Sequence, residues 1–279
     1  LQTLDTWRES ESTGNGNNIR NFNKLAPVWQ DPPLSEIDHD LVERTLKKIR
    51  FKTGNSNRTL NRAVSTVKKV LHLCARSGYL THVPVIDKFK EEKSRGTPHY
   101  RKDQVERLIQ LARERDDDAI AQAIELSAYS GLRQGELLRL KVWDIDLHKQ
   151  VLYIGGTPES RTKGRNYREV PIHPRVMPIV EYRGLSTRPL NSYVFDEFAT
   201  RWKLDTRFDH VLEKLEWEDR SITKGHCWKS LRNSYITWAL SQGTPIMTVK
   251  KWAGHSSVTV TEGYYDHNSE QDHAEAARM

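Results

Sequence analysis

The sequence predicts a mainly α protein of two domains, with a small β-sheet confined to the second. Three observations lead there. Apolar residues recur at i+3/i+4 spacing over most of the chain, the signature of amphipathic helices. Alternation of strand type appears only after Asp146. The stretch KFKEEKSRGTPHY, residues 88–100, is charged, poor in aliphatics and broken by Gly and Pro, and it reads as an interdomain linker. The boundary falls near Gly96, giving a helical domain over 1–95 and a second domain over 96–279. Two cores suit 279 residues, and a hydrophobic content of 36% is enough to pack them.

Residues 1 to about 34 mix apolar anchors such as Trp7, Phe22 and Trp29 with a GNGNN interruption, so two helical pieces around a loop are expected. Pro32 and Pro33 stop the second piece. Asp38 is placed to cap a helix to about Arg50 that carries Leu41, Val42, Leu46 and Ile49 on one side. The next helix repeats Leu60, Val64, Val67, Leu71 and Cys74, with Gly78 as its stop. Its other face carries Arg58, Arg62, Lys68 and Lys69. Such a face is either solvated surface or a track for a phosphate backbone.

In the second domain, Asp103 with Glu106 suggests a capping box for an amphipathic helix. Asp116, Asp117 and Asp118 read as a turn charging the next helix N-terminus rather than as a metal cage. AIAQAIELSAYS is apolar enough for a buried helix, which Gly131 breaks. Arg133 then opens a new helix. A cation there opposes the helix dipole, so it wants an acidic partner or a bound anion, and Glu136 stands at i+3. VLYIGG and YREVPI form strands around a basic loop, a hairpin tip carrying Arg161, Lys163, Arg165 and Arg168. Helices follow from His173 to about Arg183 and from Glu197 to Trp217. In KGHCWKSLRNSYITWAL an apolar stripe leaves Lys229, Arg232 and Asn233 together on the first turns. A short helix with Thr244 as cap and Pro245 at its first position ends in the Gly-His turn of His255. SVTVTEGYYDH then presents Tyr264 or Tyr265.

The formal charge of +7, with 29% charged residues, favours a polyanion partner without requiring one. The two cysteines, Cys74 and Cys227, form no CxxC pair, so neither a disulfide framework nor a zinc knuckle is supported, and a reducing cytoplasm fits. No apolar run approaches the roughly 20 residues of a membrane span. Beginning at Leu1 rather than Met, the chain reads as a processed or trimmed piece, lacking a natural N-terminal segment.

Four segments in order then carry a family resemblance. SGLRQGELLRL looks like the first arginine box of tyrosine recombinases, the phage-integrase, Xer and Cre type of site-specific recombinase. TKGRNYREVPI resembles their β-hairpin lysine motif, KSLRNSYIT their HxLRHxxxT box, and AGHSSVTVTEGYYDH their LGHxxxxxTxxYxxH box. The front half resembles the family's helical core-binding domain, notably in PLSEIDHDLVERTLKKI. The resemblance implies a core-binding domain and a catalytic α+β domain closing as a C-shaped clamp on DNA.

Residue by residue, it implies that Arg133 and Arg232 clamp the scissile phosphate. Lys163 is the general acid for the leaving 5′-oxygen, His255 bonds a phosphate oxygen, and Tyr264 is the nucleophile, with Glu136 in support. Lys229 departs from the usual histidine three residues before the second arginine. It keeps a cation and donor, but with an ordinary pKa of about 10.4 it is a poorer base at neutral pH. His226, one turn upstream, is a candidate to compensate. Asn233 replaces the usual histidine after Arg232, and Ala253 the usual leucine before Gly254. Both read as tolerated changes. Spacing from His255 favours Tyr264 over Tyr265. The implied reaction forms a 3′-phosphotyrosyl link without ATP, metal or cofactor. DNA contacts are assigned to Arg58, Arg62, Lys68, Lys69, Arg161 and Arg165. The implied partners are double-stranded DNA with specific recombination sites, three further copies of the chain in a homotetramer, and accessory DNA-bending or directionality proteins, on the nucleoid in the cytoplasm. Integration or excision of a phage or mobile element is the leading expectation. Xer-like resolution of replicon dimers, type IB topoisomerase activity and a non-enzymatic DNA-binding regulator are the alternatives.

Overall fold

A computed structural model describes residue 28 and residues 32–91, 98–155, 167–185, 189–219, 221–222 and 225–264. The chain divides into two compact units, Leu1–Arg95 and Gly96–Met279.

The first unit is built on α1 (His39–Thr53) and α2 (Asn57–Arg76). The Asp38 carboxylate accepts from the Leu41 N–H at 2.8 Å and so caps α1, which runs on to Gly54 rather than stopping at Arg50. Val42, Leu46 and Ile49 of α1 share one core with Leu60, Val64, Val67 and Leu71 of α2. Asn61 then fixes the chain after α2. Its amide oxygen accepts from the Phe89 N–H at 2.8 Å and its amide nitrogen donates to the Phe89 carbonyl at 2.9 Å. On α2, Arg58, Arg62 and Lys69 are exposed and Lys68 is half-buried. Glu91 approaches Arg58 at 3.9 Å, so the face is not uniformly positive.

The second unit centres on α4 (Asp118–Ser130), whose Ile120, Ile124 and Leu126 are fully buried. Each such side chain stabilises the fold by about 1.5–3 kcal/mol. Before it lies α3 (Lys102–Arg113). The expected Asp103/Glu106 box is not how α3 begins. Arg101 is the cap residue, and its N–H donates to the Gln104 side chain at 3.0 Å. Glu106 instead accepts from Arg175 at 2.6 Å. Asp117 of the acidic run caps α4 and is gripped by the Arg207 fork.

After the single turn α5 (Gln134–Leu137), strands β1 (Ile145–Asp146), β2 (Val151–Ile154) and β3 (Arg168–Pro171) form an antiparallel sheet in the order β1-β2-β3. Leu152 pairs with Val170 and Ile154 with Arg168. A 3-10 turn, Pro174–Val176, leads into α6 (Met177–Leu185). Next come α7 (Arg201–Glu218) and α8 (Trp228–Ser241). Helix α7 begins later than Glu197 because Thr200 caps it. The last two helices are α9 (Ile246–Ala253) and α10 (Val258–Glu262). Pro245, not Thr244, is the cap residue of α9, and no side chain caps it. The architecture is mainly α with one small sheet. Among the described residues no helix is long and apolar enough to cross a membrane.

Candidate active site

The site begins where α4 ends. Gly131 has φ +64°, and a Cβ placed on it would meet the Tyr235 ring at 2.3 Å, so only glycine fits this break. The chain turns there and sets Arg133 ahead of α5. Glu136 supplies the partner the sequence called for. Its carboxylate accepts from the Arg133 backbone N–H and from its guanidinium, each at 2.8 Å.

Arg168 does not sit at a hairpin tip. It is the first residue of β3, alternates with Val170 toward the core, and is 4% exposed. Its fork meets both Glu136 oxygens, at 3.0 and 2.7 Å. Burial alone would raise the Glu136 pKa, but the hydrogen bonds and charge of Arg168, with those of Arg133, outweigh it and hold the carboxyl at about 2.

Three arginines then converge on three consecutive carbonyls at the C-terminal end of α9. Arg168 Nε donates to Trp252 O at 2.6 Å, Arg232 Nη2 to Ala253 O, and Arg133 Nη2 to Gly254 O at 2.7 Å. Arg232 also donates to Gly131 O at 2.7 Å. These carbonyls are the ones a helix leaves unpaired, at the negative end of its dipole, so cations are favoured there. Gly254 has φ +66°, and a Cβ on it would approach Arg168 to 3.0 Å, which ties the Gly-His turn to the buried arginine.

The turn presents His255, whose Nδ1 lies 3.0 Å from Thr261 Oγ1. The Tyr264 ring stacks on His255 with centroids 6.1 Å apart, and its phenol donates to Asn233 Oδ1 at 2.9 Å. Burial, followed by the charges of Arg232, Arg133, Arg168 and Lys229, lowers the His255 pKa to about 4, so the imidazole is neutral at pH 7. Burial lowers Arg232 to about 10 with Arg133 adding to the effect, and it remains a cation. Burial raises the Tyr264 phenol, while Arg232 and Arg133 pull it down.

Arg133, Arg232, His255 and Tyr264 are thus brought to one turn. Lys229 is exposed one helical turn before Arg232, near enough for its charge to act on His255. The His226 ring packs at a tilt of 43° against Tyr100, centroids 4.9 Å apart, and its Nε2 faces His99 O at 3.3 Å. Lys163, Arg161, Arg165 and Tyr265 lie outside the described residues. The sequence reading missed the role of Arg168, although strand alternation with Val170 pointed it inward. It also missed Asn233, taken for a tolerated change yet in contact with the phenol.

The phage integrase family model matches residues 99–271, which include the whole of this site. The chain belongs to the phage integrase family. It is a tyrosine recombinase, an enzyme of site-specific recombination. The recombinase is 27% identical over 252 residues to a tyrosine recombinase of Thermosipho africanus, covering 88% of this chain and 85% of that protein. It is 27% identical over 281 residues to tyrosine recombinase XerC of Alcanivorax borkumensis, covering 95% and 89%. Among solved structures, the Tn1549 transposon integrase in complex with a circular intermediate DNA matches with a TM-score of 0.75 at 16% identity, over 100% of this chain and 98% of that one. A lambda integrase dimer bound to a core site matches with a TM-score of 0.73 at 16% identity, over 94% and 76%. At those identities the solved structures share the recombinase's fold.

Proposed function

We propose that this recombinase cuts and rejoins DNA at specific sites through a 3′-phosphotyrosyl intermediate on Tyr264, integrating or excising a mobile element. The observation that carries the reading is the convergence of Arg133, Arg232 and Arg168, with His255 and Tyr264, on the turn at 252–255. Arg133 and Arg232 each have two of their five N–H donors in the bonds described, and the scissile phosphate is assigned to the others. Neutral His255 can donate to a third position. In the reaction the Tyr264 phenol gives up its proton to water and its oxygen bonds to phosphorus as the bond to the 5′-oxygen breaks. Lys163 protonates the leaving oxygen by the role the family resemblance gives it, and a 5′-hydroxyl from a second strand reverses the step. The fixed cations stabilise the charge that builds on the phosphoryl oxygens, each donor contributing about 10²–10³-fold in rate. No ATP is consumed, because the ester conserves the bond.

Duplex DNA follows as partner, with the exposed Arg58, Arg62 and Lys69 and the half-buried Lys68 of α2 on its backbone, and with Arg161 and Arg165, outside the described residues, as further contacts proposed from the sequence. Paired sites in a homotetramer, with accessory DNA-bending or directionality proteins, complete the proposal. The test is a nicked suicide substrate incubated with EDTA and run on a denaturing gel. A covalent adduct lost in Tyr264→Phe and kept in Tyr265→Phe supports the reading. An adduct lost only in Tyr265→Phe, or one that needs a divalent metal, contradicts it. The curated Xer relatives favour a second reading, resolution of replicon dimers. A plasmid carrying two directly repeated sites would be resolved in that case without any element-specific partner.

A further inference from the structure

Asn233 follows Arg232 on α8 and is 1% exposed. Both ends of its amide are engaged. Oδ1 accepts from the Tyr264 phenol at 2.9 Å, and Nδ2 donates to the Pro98 carbonyl at 3.3 Å. The second bond decides the first. A carbonyl can only accept, so Nδ2 must face Pro98, and that turns Oδ1 toward the phenol. The segment bearing Pro98 is itself fixed along α8. The Tyr100 N–H donates to Ser234 Oγ at 2.8 Å, and Ser234 Oγ donates to Ser230 O at 2.9 Å. Asn233 therefore stands between a fixed backbone carbonyl and the phenol oxygen.

Tyr264 needs such a fixture. It lies beyond the end of α10, a helix of five residues, with its N–H donating to Thr261 O at 3.1 Å. Its ring packs against the small cluster of Ile236, Leu240, Val249 and Ala253 and stacks on His255. Those contacts are apolar or planar and leave the phenol's orientation about the C–O bond open. The bond to Oδ1 sets it. Because the amide oxygen is neutral and only accepts, it also favours the protonated phenol, so the proton must be turned away from Asn233 when the phenol attacks.

We infer that Asn233 is a positioning residue for the nucleophile, holding the Tyr264 hydroxyl oriented and protonated within the arginine cluster through an amide registered on Pro98. The inference rests on Tyr264 being the nucleophile.

The test uses the full chain, a nicked suicide substrate, and single-turnover cleavage as a function of pH, with DNA affinity and thermal melting measured alongside. Loss of this one hydrogen bond in Asn233→Ala is expected to slow cleavage about tenfold while DNA affinity changes by less than about twofold. Asn233→His, which keeps one donor and one acceptor, restores the rate to within about threefold of the parent. Asn233→Asp places a carboxylate against the phenol and moves the rising limb of the pH profile upward by about one unit. Wild-type rate and profile in Asn233→Ala, or a slow Asn233→Ala that Asn233→His does not rescue, would overturn the inference. If Asn233→Ala melts below the assay temperature, Asn233→Asp decides: an unshifted profile overturns it and an upward shift supports it. Tyr264→Phe separates the two claims. An adduct that survives Tyr264→Phe removes the nucleophile and this inference together. No adduct in Tyr264→Phe with a wild-type Asn233→Ala removes only the role of Asn233.

Discussion

Replacing Glu136 with Gln tests the electrostatics under the site. Glu136 is the carboxylate that Arg133 and the buried Arg168 share, and its side chain is 13% exposed. Its pKa stands at about 2 against an ordinary 4.5. Taken at about 1.36 kcal/mol per pH unit, that difference is worth about 3 kcal/mol of folding stability at neutral pH. The cost of breaking a buried ion pair by removing one partner, about 3–5 kcal/mol, agrees with it. The sign follows from the folded value lying below the unfolded one. The stability is present in full above about pH 4.5 and is lost as the pH falls toward 2. Urea unfolding followed by tryptophan fluorescence should therefore find Glu136→Gln less stable than the parent by about 3 kcal/mol at pH 7, and by only about 1.5 kcal/mol at pH 3. Equal stability at pH 7, or a gap that does not narrow at pH 3, would refute the reasoning.

Other consequences follow from single residues. Gly131→Ala brings a Cβ against the Tyr235 ring at a left-handed position and should destabilise the chain by about 1–3 kcal/mol in the same urea experiment. Arg232→Lys keeps the charge but loses the fork that spans Gly131 O and Ala253 O, so single-turnover cleavage should fall about 10²–10³-fold. His255 should stay neutral down to about pH 5 in the DNA-free protein. Nitrogen-15 NMR should place its titration near 4, and a midpoint near 6.5 would contradict the charge environment described.

The parts of this molecule that were legible in the sequence are those set by local rules. Asp38 as a cap, Gly131 as a helix break and Glu136 at i+3 from Arg133 are all short-range relations, and each stands where spacing put it. Three of the four boxes carry Arg133, Arg232, His255 and Tyr264, and the fold brings them to one turn. What was not legible depends on contacts between distant stretches. Arg168 reaches Glu136 and Trp252 O, 32 and 84 residues away along the chain, so in the sequence it looked like one more cation of a basic hairpin. Asn233 looked like a neutral replacement because its two partners, Pro98 and Tyr264, come from opposite directions in the chain. The cap of α3 was misread for a different reason. Asp103 had the right residue type, but the register of the helix was set two residues earlier by Arg101 and Gln104.

The central claim is that Tyr264 becomes covalently joined to DNA within the arginine cluster. The direct measurement is mass spectrometry of the adduct formed on a nicked suicide substrate in EDTA, after digestion with nuclease and protease. The account predicts a nucleotide on Tyr264, attached through a 3′-phosphate. A nucleotide on Tyr265, attachment through a 5′-phosphate, or the absence of any modified tyrosine from a complex that binds its site would contradict it.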